Sequence, residues 1–456
     1  MRGYILLFFC SILFFDSIAQ TSSHDTLNSA QTFKEIFSKG EIKGYMRNYF
    51  LNTINEGVLK DYYANATGGA LSYKTMPYKG FEAGVKGSVT FHTFSSDLNE
   101  EDAVTGKTSK WEPELYDVLN RDKYNDLDRL EELYIKYYFK GSYVSLGKIP
   151  VQDTPLLNKS DGRMMPFSFE GIWGRFNINK TQRLNISWLY KVSPRSTTEW
   201  FKLKEALGIF SNGYQPDGEP ADYQGRLNSK GIAIITYETK FNNLYFGLFN
   251  WYIDKVINTT WFETVYNLSR EVSVGLQYTC QLPDNYQSKL SFRERYVQPG
   301  ENGQVLSSKI SYKKDNLNIK VAYTHAFNSG RFLFPRELGR DRFYTSISRS
   351  RLEGFGSTQV VTLSGSYDFN LKGFKAGVEY TRLFNPEINN FQFNKYNLDE
   401  YHQFNVRLHY QPNGFFEGLK FDVLYVFKEN INNTSPDVIF NKSNYHQINF
   451  VTNFNF

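Results

Sequence analysis

The sequence has few residues that could hold a fold together covalently and few that mark an enzyme. It contains only two cysteines, Cys10 and Cys280, and Cys10 lies in an N-terminal apolar segment that we expect to be removed. One remaining cysteine excludes an internal disulfide. Zinc-protease, serine-hydrolase and phosphate-loop motifs are absent from the sequence. We therefore expect no metal, no cofactor and no enzymatic activity, although a hydrolase built on a barrel stays open.

Long apolar runs and a large excess of one charge are also missing. Beyond the N-terminus, no stretch reaches the ~18 consecutive apolar residues of a membrane-spanning helix. The formal net charge is only +5, which gives no indication of a nucleic-acid partner. Helical membrane proteins are therefore disfavoured, and we expect no nucleic acid among the partners.

The first 19 residues predict a cleaved secretory signal peptide. Arg2 precedes an apolar region over 5–15, and the small-residue pattern at 17–19 is typical of a cleavage site. The apolar region is too short for a transmembrane anchor, and Asp16 ends it. We expect the mature protein to belong to the cell envelope.

Aromatic residues, by contrast, are plentiful. The chain has 33 Tyr and 40 Phe, and aromatics make up 17% of all residues. Strands rich in Tyr, Phe and Asn suit a barrel that faces lipid on its outside and water on its inside. The composition therefore predicts an all-β protein, a transmembrane antiparallel β-barrel.

Alternation of apolar and polar residues supports this interpretation. In the segment 83–94, Val85, Val89 and Phe91 share one parity, while Lys86 and His92 share the other. The same pattern recurs over 270–280, 403–411 and 418–428. Agreement across many strands disfavours the alternatives, a soluble β-sandwich or a propeller. At roughly 24 residues per strand and connection, the chain would form about 18 strands.

Turn residues predict two different ends of the barrel. Asp315-Asn316, Asn242-Asn243 and Lys372-Gly373 each separate two strand-like runs, as expected of tight hairpins. Longer polar segments lie at 95–130, 194–230, 328–357 and 385–402. Short periplasmic turns and long extracellular loops are typical of an outer-membrane barrel. We expect 20–40 to be a short periplasmic segment and 41–456 to form the barrel.

The last strand also carries a recognisable pattern. Ile448, Phe450, Thr452, Phe454 and Phe456 share one face of the C-terminal segment. This arrangement resembles the signal read by the bacterial barrel-assembly machinery, so that machinery is an expected partner through Phe456. An ordinary amphipathic strand is the alternative.

Two segments resemble OprD-type porins. One is GYMRNYFLNT at 44–53 with the Gly-rich region that follows it, and the other is VSLGKIPVQDTPLLNKSDGRMMPFSFEGIWGRF at 144–176. The resemblance covers roughly 35–200, and FPRELGRDRFYTSISRSRLEG at 334–354 looks like a motif of a subgroup. The resemblance implies an outer-membrane barrel of 18 strands with a loop-lined constriction. It also implies passage of small water-soluble solutes, often carboxylates, along a ladder of basic residues.

One connection concentrates arginine. Residues 331–351 contain six arginines, and the segment 331–353 carries a net charge of +3, from six arginines minus three acids. The arginines are Arg331, Arg336, Arg340, Arg342, Arg349 and Arg351. An arginine facing lipid at the midplane would cost ~2–4 kcal/mol. We therefore expect these side chains to lie in the lumen, where guanidinium groups bind carboxylates, or above the bilayer. Alternatively, the segment forms an external loop that is held by salt bridges or that binds lipopolysaccharide phosphates.

Two further arginines are candidate pore residues. Arg47 lies in the first predicted strand and shares a face with Tyr49, and Arg163 lies in a 153–171 connection that could form the constriction. Alternatively, Arg163 packs in its loop, paired with Asp161 or Glu170. The sequence thus predicts a porin in the bacterial outer membrane, in contact with its lipid and lipopolysaccharide, that passes small polar or anionic solutes. A structural or adhesive barrel and a transporter of hydrophobic solutes are the competing functions.

Overall fold

The computed structural model describes residues 29–125, 127–159, 163–369 and 373–456. The signal peptide predicted over 1–19 lies outside the described residues, as do Asp161 and Lys372. The described residues form nineteen strands: β1 (Glu41–Asn55), β2 (Tyr62–Lys74), β3 (Phe81–Ser95), β4 (Leu127–Phe139), β5 (Ser142–Ile149), β6 (Ser168–Asn177), β7 (Gln182–Ser193), β8 (Phe201–Lys202), β9 (Ile232–Phe241), β10 (Leu244–Ile253), β11 (Ile257–Asn267), β12 (Val272–Pro283), β13 (Gln304–Lys314), β14 (Leu317–Ala326), β15 (Thr358–Asp368), β16 (Phe374–Phe384), β17 (Tyr401–Tyr410), β18 (Leu419–Asn430) and β19 (Tyr445–Asn455).

The strands close into a single antiparallel barrel. Each long strand pairs with its neighbours in sequence, and β1 pairs with both β2 and β19, which closes the sheet. The two-residue β8 pairs only with β7 within the described residues, while β7 continues onto β9. Eighteen strands therefore form the wall, as the sequence predicted, and β8 is an addition inside a loop.

The two ends of the barrel differ as expected. Between β13 and β14 the turn is Asp315-Asn316, and between β9 and β10 it is Asn242-Asn243. Asp315 and Asn242 both have φ of 49°, a conformation that Asn and Asp tolerate better than most residues. At the other end, long connections span 96–126, 194–231, 327–357 and 385–400. The connections 284–303 and 431–444 are also long, and the sequence did not indicate them.

The outer face is apolar and the inner face is polar. On β3, Val85, Val89 and Phe91 are exposed on the outside, while Ser88 and Thr90 are buried on the inside. This alternation follows from the strand geometry, which points successive side chains to opposite faces. The outward row matches the one that the sequence predicted.

The helices are few and short. They lie at Phe33–Ser38, Leu203–Ala206 and Pro436–Ile439, with 3₁₀ turns at Glu112–Leu115, Asn285–Lys289, Phe292–Glu294 and Gly414–Phe416. The first helix begins at its N-cap Thr32, whose hydroxyl accepts a hydrogen bond from Glu35 N. No helix in the described part of the chain has the length and apolar character needed to cross a membrane.

The interior of the barrel is packed by its own loops. The largest apolar cluster joins wall residues such as Trp251 and Trp261 to loop residues such as Leu156, Phe332 and Phe343. The Phe343 ring stacks on Trp261 with ring centroids 4.5 Å apart. Long loops therefore turn inward and are held there by burial of apolar surface.

Candidate functional site

The connection between β14 and β15, residues 327–357, is called here the arginine connection, and it folds into the barrel. Tyr344 N donates to Gln277 Oε1 on β12 at 3.2 Å. The hydroxyls of Thr345 and of Thr324 on β14 lie 2.7 Å apart. Both wall residues are buried on the inner face. The segment therefore lies against the inner wall.

The next residues of the arginine connection follow the wall around the barrel. Thr362 on β15 donates to Thr345 O at 3.0 Å, and Gln403 on β17 donates to Ser348 O at 2.6 Å. Arg349 Nη2 then donates to Asn449 Oδ1 on β19 at 2.8 Å. The segment 344–349 thus runs along inward-facing residues from β12 to β19, and polar side chains of the wall fix its path.

The six arginines of this connection have different environments. Arg331 is 1% exposed and ion-pairs with Glu301. Its guanidinium also donates to Tyr214 O at 2.8 Å. Arg342 pairs with Asp153 and keeps 46% of its side chain exposed. Neither arginine lines the cavity described below. A role of Arg331 or Arg342 in the pore therefore stays a prediction.

Arg340 stabilises the arginine connection internally, and Arg349 attaches it to the barrel wall. Arg340 donates to the carbonyls of Ile347 and Ser350, the latter at 2.7 Å. Arg349 also donates to Gln447 Oε1 on β19 and lies over the Trp111 ring, 5.4 Å from its centroid. Both arginines therefore shape the loop while lining the cavity.

Arg336 and Arg351 differ from the other four. Both line the cavity. The Arg336 guanidinium lies 5.3 Å from the centroid of the Tyr396 ring, and its buried Nε has no hydrogen-bond partner. Across the described part of the chain, no carboxylate lies within ion-pairing distance of either guanidinium.

A cavity of about 730 Å³ lies between the inward loops. Its lining includes ten Lys or Arg residues and three Glu residues. The cationic residues are Lys107, Lys110, Arg121, Arg195, Arg336, Arg340, Arg349, Arg351, Lys428 and Lys442, and the acids are Glu101, Glu114 and Glu353. Since cations outnumber acids by more than three to one, the cavity presents a positive field to a solute.

Two of the three acids are already paired with cations. Glu114 accepts from Arg163 Nη2 at 2.8 Å and from Arg195 Nη2 at 2.9 Å. Glu353 lies 3.9 Å from Lys395 Nζ and accepts from the Tyr396 hydroxyl at 2.9 Å. Pairing with these partners leaves little negative charge for the remaining cations of the wall.

Burial and mutual repulsion alter the ionisation of the cavity's loop residues. Burial, followed by the guanidiniums of Arg336 and Arg340, lowers the pKa of Arg351. Burial, followed by Arg336 and Arg351, lowers the pKa of Lys110 well below its ordinary value. The arginine remains charged at neutral pH. Both shifts have the direction expected where burial and neighbouring positive charges outweigh the nearby acids, Asp341 for Arg351 and Glu114 for Lys110.

Arg47 and Arg163 lie next to each other at the wall. Arg47 donates to Asn453 Oδ1 at 2.7 Å and to the carbonyl of Arg163. Arg163 is fully buried and pairs with Glu114, 49 residues earlier in the chain. Glu170, a partner considered from the sequence, lies 3.4 Å from Lys191. The 153–171 connection proposed from the sequence ends earlier, because β6 begins at Ser168.

Sequence reasoning missed several cavity residues. Lys428 on β18 follows Phe427 of the outward row, so its parity alone indicates an inward position. Lys110 and Arg195 belong to other loops and reach the cavity only through the fold. No local pattern in the sequence marks those two residues.

Comparisons with known proteins identify the fold. No protein-family model matches the chain, and no curated protein matches it. Pseudomonas aeruginosa OccK8 (OprE) has a TM-score of 0.69 and 15% identity, covering 92% of this chain and 99% of its own. Acinetobacter baumannii OccAB2 has a TM-score of 0.68 with the same identity and coverages. P. aeruginosa OpdK with vanillate has a TM-score of 0.66, also at 15% identity and the same coverages.

At this level of identity the likeness concerns the fold. It extends over more than nine tenths of the chain and includes the closed wall of eighteen antiparallel strands. The resemblance of 44–53 and 144–176 to OprD-type porins implied this architecture. The chain therefore has the β-barrel fold of the OprD-type porins.

Proposed function

We propose that the protein is an outer-membrane porin that passes small water-soluble solutes and favours anions, in particular carboxylates. The observation that carries the proposal is the positive cavity inside the closed barrel, lined by ten cationic residues and three acids. A wall with an apolar outer face is suited to lipid, and an aqueous interior is suited to solutes. Residues 1–19 would direct the chain to the envelope.

The walls of the cavity suit a carboxylate. A guanidinium donates two parallel hydrogen bonds to a carboxylate, and Arg336 and Arg351 have no protein carboxylate at ion-pairing distance in the described residues. Other cationic side chains of the wall offer weaker contacts along the way, so an anion can move between sites without being trapped. OpdK, which shares the fold, was solved with vanillate, a small carboxylate.

A transporter of hydrophobic solutes would need a different lining. Apolar solutes gain nothing from the lysines and arginines of this cavity. An adhesive barrel would need no continuous aqueous path at all. Passage of solutes therefore separates the porin from both alternatives.

Liposome swelling tests the proposal directly. The mature protein would be reconstituted and exposed to acetate, benzoate, lysine and glucose at matched osmolarity. We expect fast swelling with the anions acetate and benzoate, and slower swelling with lysine, whose net charge is positive, and with uncharged glucose. Absence of swelling with every solute would reject the porin, and equal rates for all four would reject the preference for carboxylates.

A further inference from the structure

We propose that the cavity contains a binding site for small dianions, formed by Arg336 and Arg351 with Lys110 and Lys428. The proposal rests on the porin function above and names a solute class within it, namely molecules with two negative charges. Dicarboxylates and inorganic phosphate share this chemistry. All four residues line the same cavity, although they come from two loops and one strand.

The first argument is the absence of protein counter-ions. Among the described residues, no carboxylate lies within ion-pairing distance of any of these four side chains. Other arginines nearby each have a carboxylate partner: Arg331 pairs with Glu301, and Arg163 and Arg195 share Glu114. The same loops therefore supply direct ion pairs to some arginines and, within the described residues, none to Arg336 and Arg351. Against its burial, Tyr396 and the more distant carboxylates of Glu353 and Glu337 nevertheless raise the pKa of Arg336.

The second argument is the way in which the four side chains are held. Lys428 Nζ lies 3.8 Å from the centroid of the Tyr401 ring and Lys110 Nζ lies 4.8 Å from that of Trp111. The Arg336 guanidinium lies over the Tyr396 ring at 5.3 Å. An aromatic face attracts a cation but carries no net charge to neutralise it. These rings fix three of the groups and leave their charges for a ligand.

The third argument is the number of charges. A half-buried cation without a direct ion pair is unfavourable, and two such guanidiniums, Arg336 and Arg351, also repel each other. A monoanion neutralises only one of them, whereas a dianion neutralises both. The cavity of about 730 Å³ leaves room for a small dianion with part of its hydration shell. The structure therefore favours doubly charged solutes over singly charged ones.

Calorimetric titration of the purified protein in detergent, at low salt and pH 7.5, tests the site. Succinate and phosphate serve as dianions, and acetate is the monoanion. A second charge-assisted contact is expected to give about a tenfold tighter Kd than that for acetate. Equal affinity for all three anions would overturn the proposal. Binding of only one of the two dianions, phosphate or succinate, would support the site and would show which of these two kinds of dianion it takes.

Variants locate the site. Arg336→Gln and Arg351→Gln should each weaken dianion binding by about tenfold, while Arg351→Lys, which keeps the charge, should retain most of it. Arg293→Gln is the matched control, since Arg293 is exposed and pairs with Glu219 outside the cavity. Retention of dianion affinity in both Gln variants would overturn the site. Heat-dependent migration of each variant in gels verifies that the barrel has folded.

Failure of this inference is distinguishable from failure of the porin function. If the liposomes swell with acetate and benzoate but succinate binds no tighter than acetate, the porin stands and the dianion site is rejected. If no solute passes, the porin is rejected, while a selective response to dianions in the titration would still establish the site.

Discussion

Arg349 on the arginine connection donates a hydrogen bond to Asn449 on β19, with 2.8 Å between Nη2 and Oδ1. Asn449 also accepts from the Tyr49 hydroxyl of β1 at 3.0 Å. One wall residue thus links the inward loop to the seam at which the barrel closes. This link places an arginine-rich segment inside the barrel.

The inward position of the arginine connection can be tested by a disulfide. The hydroxyls of Thr324 and Thr345 are 2.7 Å apart, a separation compatible with a bond between cysteines at the two positions. We expect Thr324→Cys/Thr345→Cys, made with Cys280→Ser, to crosslink on mild oxidation, as measured by mass spectrometry. Val321 faces outward from the same strand, so Val321→Cys/Thr345→Cys is the control. Crosslinking of the control pair alone would place the loop outside the barrel.

The closing seam gives a second prediction. Gly44 N donates to Phe456 O at 2.9 Å, and Phe456 N donates to Gly44 O at 3.0 Å. A Cβ at Gly44 would lie 2.5 Å from the Phe456 ring. Gly44→Ala should therefore displace the last aromatic ring and destabilise the barrel by about 1–3 kcal/mol. The measurement is the fraction of folded barrel in a urea titration.

Gly365 provides the matched control for that experiment. It also lies in a strand, but a Cβ there would meet no atom within 4 Å. Gly365→Ala should leave the urea midpoint nearly unchanged. Equal destabilisation by the two substitutions would show that the contact with Phe456 is not what constrains Gly44.

Glu112 gives a prediction about pH. Burial raises the pKa of Glu112 to about 7, against hydrogen bonds from Ser109 and Thr53 that favour the charged form. Between its ordinary value of 4.5 and about 7, the folded protein keeps a proton that the unfolded chain has lost. The free energy of unfolding therefore falls as pH rises through this window. Above it, the full cost of burying the ionised Glu112 carboxylate is present.

Glu112→Gln removes this cost. We expect the variant to be more stable than the parent by on the order of 1–3 kcal/mol at pH 8 and to match it at pH 4. Thermal midpoints at both pH values provide the measurement. Glu387→Gln, at an exposed loop position, should change neither midpoint. A gain of the same size at pH 4 and pH 8 would exclude a titrating Glu112 as its source.

Much of the wall was predictable because its pattern is local. The outward row of β3 follows from alternation, and the turn at Asp315 follows from the φ angle that hairpins require. Both need only a few neighbouring residues. The eighteen-strand barrel followed from many such segments taken together.

The cavity was predictable only in part, because its chemistry depends on long-range contacts. The sequence showed that arginines concentrate in 331–351, yet it gave no sign that Arg331 is neutralised by Glu301 of another loop. Arg163 meets Glu114 of another loop in the same way. Which arginines keep their charge available is decided by how the loops pack, and no periodic pattern encodes that packing.

The central claim is that arginines folded into the lumen give the channel a preference for anions. The most direct test is the reversal potential of single channels in planar bilayers across a KCl gradient. We predict anion selectivity for the parent protein and a marked loss of it in Arg336→Gln/Arg351→Gln, while Arg293→Gln behaves as the parent. A cation-selective parent, or a double variant with an unchanged reversal potential, would contradict the account.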